Sequence, residues 1–286
     1  MNERQIVETR LGALAVRVHG EGPVAVLWHS LFVDDSTWSR VEDDLARARR
    51  LVIITGPGHG VSPDPGRRYN MDECAEAAAD VLAALGIDDP VDWVGNAWGG
   101  HVGVVFAARW PPTVISLVTL GTPIQAYTLS ERLRIWILLP IVRLFGPVGS
   151  IVTGIREVLL SSTTRAQDPE AARLVVDCLR SMNRVALVNA VVSISLRRPD
   201  LTPQLAQIRC PTLFVTGSDH TGWTPEQAQA AGRLLADGAT EVIPNLAYLI
   251  PLEAPDRTVQ LVRNLWAQSL QRRRSDNDQR SKTQTP

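Results

Sequence analysis

Apolar runs bounded by turn residues recur along the first half of the chain, continuous at Val24–Trp28, nearly so at Leu51–Thr55, and interrupted only by Asp92 in Val91–Val94 and by Ser116 and Thr119 in Val114–Leu120. Runs of this length without polar alternation predict strands buried on both faces. Helical patterns fall between them, at Thr37–Arg47, Asp72–Leu85 and from Trp98 to Trp110, where Pro111-Pro112 stops the pattern. Ahead of these, Ile6–Thr9 and Ala13–His19 are β-rich and separated by Leu11-Gly12, which predicts a hairpin. From Pro123 to Ile208 the strand pattern disappears and the composition is helical. Strands return at Thr212–Thr216 and Glu241–Ile243 around a helix at Pro225–Leu235, and a last helix is predicted from Pro255 to Arg272.

Alternating strands and helices predict an α/β fold: a mostly parallel, doubly wound sheet with helices on both faces. The helical block reads as an insertion beside the carboxyl ends of the strands, where such sheets bind ligands. The expected division is a core from residues 1–122 and 209–272, a helical lid at 123–208, and a polar tail at 273–286 whose composition predicts disorder. Within the block, Ile135–Ile155 is almost wholly apolar, with Arg143 its only charge, and approaches the length of a membrane span. Pro140, Gly146-Pro147, Gly149 and Gly154 interrupt it. Two or three short helices forming an apolar lid are expected there, without stable membrane insertion.

Composition narrows the function classes. Apolar residues make up 45% of the chain and charged residues 21%, enough for a sizeable core. A net charge of −1 excludes the clustered basic excess of a nucleic-acid surface. The first ten residues carry acidic groups and no apolar signal segment, and Cys74, Cys178 and Cys210 have no metal-ligand spacing. Free thiols in a reducing cytoplasm are expected, with no metal and no cofactor.

The stretch Val91–Gly103, V-D-W-V-G-N-A-W-G-G-H-V-G, carries the chemistry question. A short apolar strand turns tightly into a helix of small residues, the layout of a nucleophile elbow, G-x-S-x-G. The residue pushed out of the turn is Ala97. A methyl group cannot attack a carbonyl.

Four further stretches join this one. V-L-W-H-S-L-F-V-D-D-S-T-W resembles an oxyanion-loop strand, and P-G-H-G-V-S the loop after the next strand. P-T-L-F-V-T-G-S-D-H and N-L-A-Y-L-I-P-L-E-A-P-D resemble carboxyl-terminal acid and histidine segments. In this order and spacing they resemble the α/β-hydrolase superfamily, in its lid-bearing branch, over Val24–Trp266. The resemblance implies a degenerate triad. The nucleophile position is Ala97. The general-base position, five residues before Glu253, is Tyr248. The acid position, three residues after Gly217, is His220, with Asp219 beside it. Ser30 stands where a Gly usually follows the oxyanion-loop His, and Thr55 takes a place that is often Asp.

Triad chemistry needs an oxygen nucleophile, an imidazole and an orienting carboxylate. The oxyanion hole is different, because the resemblance builds it from backbone N–H groups, here those of Trp98 and Leu31, which tolerate the loss of a serine. It also implies a pocket lined by His29, Ser30, Trp98, Trp136 and Trp223. His59 and His101 are expected to fix loops and pack. Asp34 and Asp35 are expected in solvent, with Asp35 or Ser36 capping the next helix. The function expected is an enzyme that binds an apolar small molecule and works without a covalent intermediate. A lyase, isomerase or cyclase would fit, with Tyr248 or His220 moving the proton. Two alternatives stay open: a non-catalytic binder or sensor, and a hydrolase that activates water through His220 or Asp219.

Overall fold

The computed structural model describes residues 4–283. Its strands are β1 (Arg4–Thr9), β2 (Gly12–His19), β3 (Val24–Trp28), β4 (Arg50–Thr55), β5 (Val91–Asn96), β6 (Val114–Leu120), β7 (Thr212–Gly217) and β8 (Gly238–Ile243). They form one eight-stranded sheet in the order β1-β2-β4-β3-β5-β6-β7-β8. β1 and β2 are the expected antiparallel hairpin, β2 runs antiparallel to β4, and every pairing from β4 through β8 is parallel. The mostly parallel α/β sheet read from the sequence is therefore present.

Side chains of β3 alternate between two cores, as the period of a strand requires. Val26 and Trp28 enter the layer that holds residues of α2 (Met71–Ala84) and α3 (Trp98–Arg109). Ala25 and Leu27 enter the layer that holds residues of α1 (Glu42–Ala46) and α11 (Pro255–Thr283). At the amino end of β5, opposite the elbow, Asp92 is fully buried. It accepts from Arg49 Nε at 2.8 Å and from the Ser116 hydroxyl at 2.5 Å, while the Arg49 guanidinium lies 4.7 Å from the Trp266 ring.

The chain leaves β3 for β4 on one side and returns to β5 on the other, so the strand order reverses between β3 and β5. In such sheets a crevice opens at the carboxyl ends of the strands at this point. The loop after β3 and the elbow after β5 both fall there.

Between β6 and β7 stand α4 (Leu129–Phe145), α5 (Gly149–Leu159), α6 (Ser162–Gln167), α7 (Pro169–Ser181) and α8 (Arg184–Ala190). A π-helical turn, Val191–Leu196, and a 3-10 turn, Thr202–Gln207, follow. Glu253, in the short helix α10 (Ile250–Glu253), ties this insertion to the sheet. One of its carboxylate oxygens accepts from Ser161 N–H and the Thr164 hydroxyl, and the other from Ala247 N–H.

Several expectations need correcting. Pro140 does not end a helix but lies inside α4. It costs one backbone hydrogen bond, yet the Thr128–Glu131 capping box fixes the start of the helix and buried Leu139 and Val142 hold both sides of the proline. Thr37–Arg47 is not one helix but a 3-10 turn, Asp35–Trp38, followed by the short α1. The Asp34 carboxylate caps that turn. Asp35, expected in solvent, is buried and accepts from Arg17, Arg4 and the Thr55 hydroxyl. The last helix continues past Arg272 to Thr283, through a stretch whose polar composition suggested disorder but whose Arg and Gln are good helix formers. Residues 284–286 of that tail lie outside the described residues. Helix α9 (Pro225–Gly232) ends sooner than expected. Among the described residues no helix is long and apolar enough to cross a membrane.

Candidate active site

The elbow is built by close backbone approach. A Cβ on Gly95 would lie 2.2 Å from the carbonyl carbon of Gly99, and one on Gly99 would lie 1.9 Å from the carbonyl oxygen of Trp28. Glycine at both positions lets α3 start directly against β3 and β5. Gly99 N–H then donates to the His29 carbonyl (3.1 Å), and Trp93 Nε1 donates to the Gly99 carbonyl (3.0 Å). Between these glycines Ala97 is forced to φ 46° and ψ −101°. That is the left-handed side of the map, which costs a non-glycine residue about 1 kcal/mol.

Ala97 and Trp98 line a cavity whose empty space, open solvent at its mouth included, is about 490 Å³, of which about 70 Å³ can take the centre of a water-sized sphere. The loop after β3 contributes Ser30, Leu31 and Phe32, and the insertion contributes Val158, Leu159 and Ile194. Phe32 also has a positive φ, 72°. Two of the three non-glycine residues with positive φ among those described thus face one cavity, and strain of this kind collects at functional sites. The N–H groups of Trp98 and Leu31 have no acceptor among the described residues. Trp98 is packed edge-on against Trp28, at a centroid distance of 5.3 Å, and against His29, at 5.4 Å.

The predicted site residues divide. Ser30, Leu31, Ala97, Trp98 and Tyr248 meet at the cavity. His29 lies behind it. Its Nε2 accepts from Gly56 N–H (2.9 Å), so the proton sits on Nδ1 and is donated to the Ser30 carbonyl (2.7 Å). Both nitrogens are used to join the loops after β3 and β4, and burial holds the imidazole below its ordinary pKa. Trp136, expected at the pocket, is 52% exposed on the outer face of α4. Trp223 is fully buried elsewhere, edge-on to Phe214 at 6.1 Å. Asp219 is exposed and accepts from its neighbour Ser218 (2.9 Å).

His220 is next to the cavity but has no free nitrogen. Nδ1 accepts from Gly222 N–H (3.2 Å) and Nε2 donates to the Gly121 carbonyl (3.3 Å). Burial lowers its pKa to about 4, so the ring is neutral near pH 7. Tyr248 lies on this ring, with centroids 3.5 Å apart. Its hydroxyl has no hydrogen-bond partner among the described residues and reaches the loop after β7, where a Cβ on Gly222 would be only 2.5 Å away. Burial, and then Tyr127, push the phenol above its ordinary pKa, leaving Tyr248 a proton or hydrogen-bond donor rather than a base.

Four residues outside the expected set belong to this region. Asn96 Nδ2 donates to the carbonyls of Leu120 (2.8 Å) and Tyr248 (2.7 Å), fixing Tyr248 to the elbow strand. The x position of G-x-S-x-G carries no signal of its own, so only topology exposes this role. His101, expected to pack, lines the cavity on α3, as do Tyr127 and Arg198 of the insertion. A strand-centred motif could not point to Arg198, which follows the π-helical turn. It differs from its exposed neighbour Arg197 in being buried. A wider recess of about 760 Å³ lies between the loop after β4 and α8, lined by Gly58, Asp64 and Ala186 among others. It contains neither elbow nor oxyanion-loop residues, so the smaller cavity is the candidate site.

A model of the alpha/beta hydrolase family matches residues 18–261. The chain belongs to the alpha/beta hydrolase family. Its fold is that of the thermophilic esterase from Thermogutta terrifontis, with a TM-score of 0.86 over 93% of this chain and 99% of the other at 23% identity. It is 32% identical over 136 residues to the 2-hydroxy-6-oxo-2,4-heptadienoate hydrolase of Pseudomonas putida, a match covering 47% of this chain and 46% of that hydrolase. It thus spans under half the length of this first curated relative. A longer match, 26% identical over 86% of this chain and 95% of the relative, is to the pimeloyl-[acyl-carrier protein] methyl ester esterase of Nitrosospira multiformis. Within this alpha/beta hydrolase the residue at the elbow is alanine.

Proposed function

We propose that this alpha/beta hydrolase family member binds an apolar small molecule in the cavity beside Ala97 and acts on it without a covalent intermediate. The observation that carries the proposal is Ala97 itself. The strained elbow conformation, φ 46°, is kept, the residue faces the cavity, and no hydroxyl is there to form an acyl-enzyme. The N–H groups of Trp98 and Leu31 are the oxyanion hole of this reading. Preorganised donors at a helix N-terminus stabilise a developing enolate, alkoxide or phenolate whatever residue occupies the turn, each by about 3 kcal/mol. Tyr248 is the proton donor, and the helical insertion is the lid that keeps water from the site. The reaction class that needs an oxyanion hole and a donor, but no nucleophile, is that of a lyase, isomerase or cyclase.

A non-catalytic binder is the second reading. It is favoured by the two occupied nitrogens of His220, which leave that ring no lone pair for a base. The water-activating hydrolase is the weakest reading, because neither His220 nor Asp219 lines the cavity.

The test begins with ester and thioester panels and a fluorophosphonate probe. No turnover and no covalent label are expected, and a labelled residue in the cavity would sink the non-covalent mechanism. A ligand that co-purifies in the cavity is then offered to the wild type and to Tyr248→Phe. Loss of conversion with binding retained supports the enzyme, and binding without conversion by the wild type supports the sensor.

A further inference from the structure

We propose that the cavity contains a subsite for a carboxylate, centred on Arg198, so that the ligand is an apolar body bearing one organic acid group. This rests on the reading of the cavity as the ligand site. Arg198 is only 5% exposed and lines the cavity wall. Among the described residues no carboxylate lies within ion-pair distance of it. Among the described residues its hydrogen bond is from Nη1 to the Pro123 carbonyl (2.8 Å), and its guanidinium stands 5.5 Å from the Tyr127 ring. A guanidinium has five N–H donors, and its planar fork matches a carboxylate with two parallel hydrogen bonds.

The acids nearest in sequence are committed elsewhere. Glu131 is held in the capping box with Thr128, and Asp200 accepts from Thr202 N–H and its hydroxyl. His101, Tyr127 and Tyr248, which line the cavity with Arg198, are uncharged. The Pro123 carbonyl also accepts from His101 Nε2 (2.7 Å), so His101 carries its proton on that nitrogen, and burial followed by Arg198 keeps the ring neutral. The Tyr127 and Tyr248 phenols are held protonated, chiefly by burial. Arg198 is thus a buried charge that Asp200 and Glu131 influence only through space, with no carboxylate in direct contact, and a ligand carboxylate would complete it, since an unpaired buried ion is costly. Apolar Phe32, Val158, Leu159 and Ile194 take the body of that ligand. The elbow then receives its reacting oxygen at a different wall.

The experiment uses the full chain and three acids, benzoate, cinnamate and octanoate, each against its primary amide, with binding followed by calorimetry. At least one acid is expected to bind about tenfold or more tightly than its amide. Arg198→Met should erase that preference, and Arg198→Lys should retain part of it. Should Arg198→Met not fold, the wild-type contrast and the lysine variant still decide the matter. Acid and amide bound equally by the wild type would leave the cavity reading intact and remove the subsite. Binding of neither by any pair would remove both. A preference that survives in Arg198→Met would place the carboxylate at the N-terminus of α3 instead and overturn the assignment.

Discussion

The ring of Tyr248 lies on the ring of His220, with centroids 3.5 Å apart and planes tilted by 32°. The phenol extends over the imidazole to Gly222, where a Cβ would stand 2.5 Å from the hydroxyl. Gly222→Ala is therefore expected to destabilise the fold by about 1–3 kcal/mol through overpacking. Tyr248→Phe alone should change stability by less than about 0.5 kcal/mol, because the hydroxyl has no protein partner. In the double variant the smaller ring should restore most of the loss. Chemical denaturation of the four proteins measures this. Additive losses would mean that the hydroxyl and Gly222 are not in contact.

Restoring a serine should not restore a hydrolase. Ala97→Ser places a hydroxyl in the elbow, but Tyr248 stands where the resemblance puts the base, and both nitrogens of His220 are hydrogen-bonded to backbone. Adding Tyr248→His supplies an imidazole without a carboxylate to orient it, since Asp219 is exposed and bonded to Ser218. Esterase activity in the double variant is expected to stay at least about a thousandfold below that of an intact triad. Fast p-nitrophenyl acetate turnover would show that Asp219 or another acid swings into place.

The individual strands, the elbow and the loop after β3 were readable in the sequence for one physical reason: each is local. Val91–Gly103 specifies its own turn, because Gly95 and Gly99 are needed wherever a helix starts hard against two strands. The cavity wall was less legible. The resemblance places Trp136 at the pocket, yet in α4 it falls among exposed apolar side chains such as Leu133 and Ile137, away from the cavity. In the sequence Arg197 and Arg198 are two adjacent arginines with nothing to tell them apart. What separates Arg198 from Arg197 is the direction the chain takes on leaving the π-helical turn, and a single sequence does not encode that direction visibly. Asn96 depends on Tyr248, a residue far along the chain whose carbonyl it holds.

The buried pair of Arg49 and Asp92 gives a stability prediction away from the cavity. Asp92→Ala leaves the guanidinium buried without that carboxylate and should cost about 3–5 kcal/mol. The pair itself need not be stabilising relative to apolar residues of similar size. Arg49→Met with Asp92→Leu is thus expected to recover much of the loss, provided Trp266 can repack on the new side chain. Urea unfolding compares the variants. A double variant no better than Asp92→Ala would mean that the other bonds of Asp92, such as that from Ser116, carry the effect.

Acid should weaken the fold before its carboxylates titrate. Burial lowers His220 to about 4, and burial with His29 beside it lowers His59 to about 3. His29 and His101 are shifted the same way, again mainly by burial. Unfolded imidazoles titrate near about 6.5. Above that value both states are neutral and the full stability is present. As pH falls below it the unfolded chain takes up protons that the native chain refuses. Stability then declines until the native pKa is reached, by at most about 1.4 kcal/mol per pH unit for each such histidine. The window is from about 6.5 down to about 4 for His220, and to about 3 for His59. Tm is expected to be level from pH 8 to 7 and to drop steadily between pH 6.5 and 5, where paired carboxylates are still ionised. The drop should be shallower in His59→Asn, read as a slope so that any uniform loss of stability does not matter. A wild-type Tm that stays flat down to pH 5 would mean that these imidazoles protonate in place, and that the donor and acceptor assignments at His29 and His220 are wrong.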